Sequence, residues 1–221
     1  MSKNKALLAC HCGECNIILL DRRVRYKIEC LCFDCRQRAM ISQSMGNPRA
    51  FPNPLEKRAR GVEIIYFSNA MQVDDKSRTL LQFRKLREDG FNVTAYASCC
   101  GTIMLSSHPA YDGQSVSVLP NNCRVEGEID TSVSMFLFAG DFSQEKLHAL
   151  EIPKGVPVVF SPYEEMEEAP MQRFVQAATA KYESEGSAEP FVTYEQLYQD
   201  CLLYTSPSPR DQRGSRMPSS A

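Results

Sequence analysis

The sequence predicts a mainly β domain of antiparallel sheets, with one helix toward its C-terminal end. Three observations carry this. Short β-prone runs recur from residue 17 to residue 160, one segment repeats apolar residues at helical spacing, and clustered cysteines punctuate the strands. The chain has 221 residues, 43% hydrophobic and 24% charged, enough for one globular domain with its own core.

The β-prone runs are Ile17-Leu20, Val24-Glu29, Val62-Phe67, Leu80-Phe83, Phe91-Ala97, Thr102-Leu105, Ser115-Leu119, Met135-Phe138 and Val156-Phe160. Val24, Tyr26 and Ile28 alternate with Arg25 and Lys27, as a half-buried strand requires. Asp89-Gly90 is a candidate hairpin turn. Gly46 to Pro54 and His108-Pro109 to Gly113 read as loops. The helix is marked by Met171, Phe174, Val175, Ala178 and Tyr182, with Pro170 in its first turn and Gly186 past its end. The acidic run Glu164, Glu165, Glu167 and Glu168 before it reads as a solvated face or as charge complementing the helix dipole.

The domain is expected to span residues 1–200. From Cys201 to Ala221 the composition shifts to Ser, Pro and Arg without periodicity. This stretch resembles translated sequencing-adapter DNA and is expected to lie outside the native fold. The N-terminus lacks a signal-peptide pattern, so the default compartment is the cytoplasm or nucleus. A net charge of −2 does not favour nucleic acid, and no stretch approaches the roughly 20 apolar residues of a membrane span.

Ten cysteines then need an explanation. In a reducing compartment, clustered cysteines read as metal ligands rather than disulfides. Cys10, Cys12 and Cys15 form C-x-C-x2-C, and Cys30, Cys32 and Cys35 repeat it twenty residues later. Cys99 and Cys100 are adjacent and precede Gly101. In an extended segment residues i and i+2 share a face, so Cys10 with Cys12, and Cys30 with Cys32, can grip one ion. Gly13 eases the turn that brings in the third cysteine of the first cluster. Zinc takes such thiolates in a tetrahedral array, so one or two zinc ions are expected. Two arrangements stand open. Each triplet takes one of Cys99 and Cys100, giving two closed sites. Alternatively Cys10, Cys12 and Cys100 are completed by Cys15 or Cys99, while Cys30, Cys32 and Cys35 hold a second ion with a free corner.

Cys-His-Cys-Gly, Cys-Leu-Cys-Phe-Asp-Cys-Arg and the later Gly-Phe-x5-Ala-x-Cys-Cys-Gly-Thr stretch together resemble the glutathione-dependent formaldehyde-activating enzyme family, also called centromere-protein-V-like. The resemblance covers roughly residues 8–140. It implies a β-tent of antiparallel sheets around zinc, a structural zinc on Cys10, Cys12 and Cys100, and a catalytic zinc on Cys30, Cys32 and Cys35. It also implies a glutathione-like thiol as partner and carbon–sulfur lyase chemistry on a thiol–formaldehyde adduct. The chain departs from the family's later motif. Ala97 stands where that motif has its first cysteine, and Thr94 where it has an arginine; Cys15 is an extra cysteine.

Other residues are candidates beside the cysteines. His108 is a candidate base or ligand, and His11 should face away from the metal. Asp34 and Arg36 flank Cys35 as candidate tuning residues. Arg22, Arg23, Arg25 and Lys27, with Lys57, Arg58 and Arg60, are either solvated or receivers of substrate carboxylates. Cys123 reads as a small buried hydrophobe. Two further functions compete with the enzyme: a non-catalytic zinc-stabilised interaction module, and, on the C-x2-C spacings, a thiol redox protein.

Overall fold

The structure is a computed structural model and describes residues 4–48, 61–126, 129, 132–183 and 189–205. Chain order begins with strands β1 (Ala6–Ala9), β2 (Asn16–Leu19) and β3 (Tyr26–Cys30), then helix α1 (Phe33–Ser44). Next come strands β4 (Val62–Ser68) and β5 (Met71–Gln72), helix α2 (Asp75–Leu80) and strands β6 (Leu81–Arg84), β7 (Val93–Ala97), β8 (Thr102–Ser107) and β9 (Ser115–Val118). Strands β10 (Arg124–Glu126) and β11 (Met135–Leu137), helix α3 (Gln144–His148), strand β12 (Val158–Val159) and helices α4 (Ala169–Thr179) and α5 (Tyr194–Thr205) complete the order.

Two sheets form, as the mainly β prediction requires. The smaller has the order β10-β1-β2-β5 and is antiparallel throughout. The larger has the order β12-β11-β3-β4-β9-β8-β7-β6. Its β11 runs parallel to both β3 and β12, so this sheet is mixed rather than purely antiparallel. β11 lies alongside β3 with Leu137 opposite Cys30.

One apolar core lies around Leu8, Ile17, Leu19, Phe67, Met104 and Val116. A second lies around Ile28, Tyr66, Ile103, Met135 and Phe174. Burial of such side chains stabilises by about 1.5–3 kcal/mol each. The predicted C-terminal helix is α4: Pro170 sits in its first turn and Met171, Phe174 and Ala178 are its buried stripe. Tyr182 falls beyond its end, and Gly186 lies outside the described residues. The acidic run before it is a series of turns in which Glu165 accepts the backbone N–H groups of Phe160 (2.7 Å) and Ser161 (2.8 Å).

Sequence reasoning passed over helices α1, α2, α3 and α5 and strands β1, β5 and β10. The boundary drawn at residue 201 falls inside α5, where Cys201 is buried against the first core. Residues 206–221 lie outside the described ones, as do Lys57, Arg58 and Arg60 and most of the loop expected from Gly46 to Pro54. Among the described residues no helix is long and apolar enough to cross a membrane.

Candidate metal centres

The first centre is assembled from two loops. The β1–β2 connection presents Cys10 and Cys12 on a turn closed by Gly13 N–H to the Cys10 carbonyl (3.1 Å) and Cys10 N–H to the Cys15 carbonyl (2.9 Å). Gly13 has φ +86°, a conformation that glycine alone adopts without strain. The β7–β8 connection presents Cys99 and Cys100. Cys10 Sγ lies 3.5 Å from Cys12 Sγ and 3.8 Å from Cys99 Sγ; Cys12 Sγ lies 3.4 Å from Cys99 Sγ, which is 3.9 Å from Cys100 Sγ. Tetrahedral Zn–S bonds of about 2.3 Å place ligand sulfurs about 3.8 Å apart. The spacing therefore fits one ion in a four-sulfur shell, with Cys12 and Cys99 at the surface and Cys10 and Cys100 beneath.

The second centre sits where β3 ends and α1 begins. Cys30 closes the strand, Cys32 caps the helix, and Cys35 lies in its first turn. Cys32 Sγ accepts the Cys35 N–H at 3.2 Å, the role an N-cap side chain plays. Cys30 Sγ is 3.3 Å from Cys32 Sγ, and all three sulfurs lie within 4.8 Å of one another. Among the described residues no fourth cysteine, histidine or carboxylate joins this group. Two cysteine groups, of four and of three, can thus hold metal ions, and their donors suit zinc.

Of the two arrangements open from spacing, the sulfurs occupy the second, with Cys99 at the fourth corner of the first centre. Cys15 lies outside the group. Its Sγ donates to the Ser77 carbonyl at 3.8 Å, while its backbone N–H supports Cys10 Sγ at 3.3 Å. Burial, and then the charge at Cys10, pushes its thiol up to about 12. His11 also stands outside, with its backbone N–H on Thr102 Oγ1 at 3.0 Å.

Electrostatics separates the ligands. Burial raises the Cys100 thiol, but hydrogen bonds from the Thr102 side chain and from backbone N–H groups bring it down to about 6. In the second centre Cys35 is held well below the ordinary thiol range by its hydrogen bonds with Cys30 and Cys32 and by the Arg38 guanidinium. Cys30 is pushed up, chiefly by its hydrogen bond with Cys32 and then by Cys35. Cys32 is lowered by its hydrogen bond with Cys30, but Cys35 and burial together raise it to about 12. Without a cation the pocket therefore favours one thiolate, because each further one meets a like charge. A dication reverses that repulsion and deprotonates coordinating thiols.

Arg38 is the residue that motif reading missed. It lies three positions after Cys35 on the same helix face and donates to Cys35 Sγ at 3.0 Å. Asp34 and Arg36 do not contact the sulfurs: Asp34 pairs with Arg87 at 2.6 Å, and the Arg36 guanidinium lies over the Phe142 ring at 4.8 Å. His108 caps the short turn Pro109–Tyr111 through Nδ1, and its ring packs beside those of Phe91 and Tyr111. Burial and then Arg38 lower its pKa. Of the N-terminal basic run, Arg23 pairs with Asp21 at 2.9 Å, Lys27 with Glu63 at 3.7 Å, and Arg25 donates to Ser68 (3.1 Å) and Ser115 (3.0 Å). Cys123 is buried in the first core, as expected.

Scanned against protein-family models the chain matches none, and a search of curated proteins returns no match.

Proposed function

We propose that the chain is a zinc protein with one closed, structural centre and one open centre that binds a thiol and makes or breaks its bond to a formaldehyde-derived carbon. The carrying observation is the asymmetry of four sulfurs against three. Cys10, Cys12, Cys99 and Cys100 hold the structural ion, and Cys30, Cys32 and Cys35 hold the other. Structural zinc sites are closed, while catalytic ones keep a position for water or substrate. When bound, zinc supplies a Lewis-acidic corner at which a substrate thiol is held as thiolate. Support for a glutathione-like substrate and for carbon–sulfur lyase chemistry comes from the motif resemblance over residues 8–140.

The chain's own residues then bind and orient. The β3–α1 junction fixes the three sulfurs on rigid elements, and the helix N-terminus favours negative charge there. Positioning of the thiolate against a reactive carbonyl is the catalytic contribution such a site can make.

The competing reading is a zinc-stabilised interaction module without catalysis, in which both cysteine groups only hold the fold. Nuclear magnetic resonance of S-hydroxymethylglutathione exchange separates the two. Protein that speeds the exchange, with Cys32→Ser losing both the effect and glutathione binding, supports the enzyme. No acceleration by zinc-loaded protein, or glutathione binding unaltered by Cys32→Ser, rejects it.

A further inference from the structure

The charge at the second centre does not come from the cysteines alone. Arg38 is buried at 7% exposure, and helix α1 turns it inward together with Cys35, Ala39 and Ser42. Burying a guanidinium is costly unless a negative group compensates it. Its Nη1 donates to three neutral oxygens, Asn92 Oδ1 at 2.8 Å, Thr94 Oγ1 at 3.3 Å and Ser106 Oγ at 3.3 Å. Its Nη2 donates to Cys35 Sγ, and its Nε has no hydrogen-bond partner among the described residues. Among the described residues no carboxylate bonds to it, so the sulfur cluster is the counter-charge that the fold provides.

We propose that Arg38 is a specificity-determining residue, whose fixed positive charge makes the three-cysteine centre prefer an anionic fourth ligand, a thiolate, over a neutral one. The inference rests on the open-centre reading above. Three thiolates around a dication leave a net charge of −1, which Arg38 brings to zero. A thiolate entering the free corner then takes the assembly to −1. With Arg38 absent, the same entry takes it from −1 to −2. Desolvation cost grows with the square of the charge, and Cys30 and Cys35 are buried at 2% and 4% exposure. Loss of Arg38 therefore penalises an anionic ligand far more than a neutral one. The three oxygens on Nη1 lock the guanidinium in place, so the charge is preorganised rather than recruited.

Cobalt(II)-substituted protein tests this, because its visible and sulfur-to-metal charge-transfer bands report the fourth ligand without turnover. Wild type, Arg38→Gln and Arg38→Lys are each titrated at one pH with 2-mercaptoethanol and, separately, with imidazole. Arg38→Gln is expected to lose about 10–100-fold in thiol affinity, the range for residues that support a metal ligand, with imidazole affinity little changed. Arg38→Lys keeps the charge and is expected to keep the thiol preference, and it carries the test alone should Arg38→Gln not fold. Equal loss of both ligands in Arg38→Gln, unchanged thiol affinity, or a folded Arg38→Lys without the preference overturns the proposal. One bound cobalt in wild type, rather than two, overturns the open-centre reading itself and this inference with it.

Discussion

The two cysteine groups use the same C-x-C-x2-C spacing and end in different states. In the first, the strand β1 continues into a turn, and the third cysteine, Cys15, is carried past the sulfur group to support Cys10 through its backbone N–H. Its place is taken from a distant loop, by Cys99 and Cys100. In the second, the strand β3 runs into helix α1, and the helical turn returns Cys35 to the sulfur of Cys32. Identical spacing thus gives different ligand sets because the backbone after the second cysteine differs, a glycine turn in one case and a helix in the other. The four-sulfur group ties together segments about ninety residues apart in sequence, whereas the three-sulfur group is local. On the proposed reading the former holds the fold and the latter presents a corner to a thiol.

Metal removal is the largest way to break this contrast. A structural zinc site contributes roughly 10–16 kcal/mol in small peptides, against a typical domain stability of about 5–15 kcal/mol. Cys10→Ser is therefore expected to unfold or loosen the protein in thermal melts. Cys32→Ser, whose serine can still cap α1, is expected to retain most of the melting temperature while losing thiol binding. Similar melting losses in both variants would erase the distinction between the centres.

The link between the centres is the next target. Gly101 has φ +70°, and a Cβ there would come within 2.3 Å of Met45 Cβ, just past the end of α1. Gly101→Ala is expected to cost about 3 kcal/mol or more in chemical denaturation, from left-handed strain plus overpacking. A change under about 1 kcal/mol would mean the loop and helix yield independently.

Smaller effects sharpen the account. Cys15→Ala is expected to leave the zinc count unchanged and to cost about 1–2 kcal/mol of core packing; loss of a zinc would make Cys15 a ligand after all. Cys123 is pushed up to about 12 by burial, from an ordinary thiol value of 9.0. Its neutral form is the one the fold prefers, so its contribution is full below pH 9 and is lost as pH rises toward 12. Denaturation at pH 10 should show a loss of about 1 kcal/mol that Cys123→Ala lessens; an unchanged alkaline slope in that variant would place the loss elsewhere.

Longer apolar runs were legible as strands, but the four-residue Ala6–Ala9, apolar throughout, was passed over and is β1. The run Val62 to Phe67 became β4, and the alternation around Tyr26 and Ile28 became β3. Helix α1 was not legible, because its buried face is Cys35, Arg38, Ala39 and Ser42, and only one of these is a conventional apolar residue. Hydrophobic periodicity cannot see a helix whose inward face is built of ligand, charge and hydroxyl. Asp34 in the first turn, ahead of the helix formers Arg36, Gln37, Arg38, Ala39 and Met40, was the available signal. Helix α5 was obscured by the compositional break that begins at Cys201, although Tyr194, Leu197 and Cys201 share its buried face. Cys99 against Cys15 was undecidable from spacing, since that choice depends on where β7 and β8 place their connecting turn.

The most direct test of the contrast is zinc stoichiometry by elemental analysis, joined to X-ray absorption of the metal shell. Two zinc ions per chain, averaging between three and four sulfurs with a light atom completing the shell, are the expected result. Two ions with four sulfurs each, or a single ion, would contradict an open second centre.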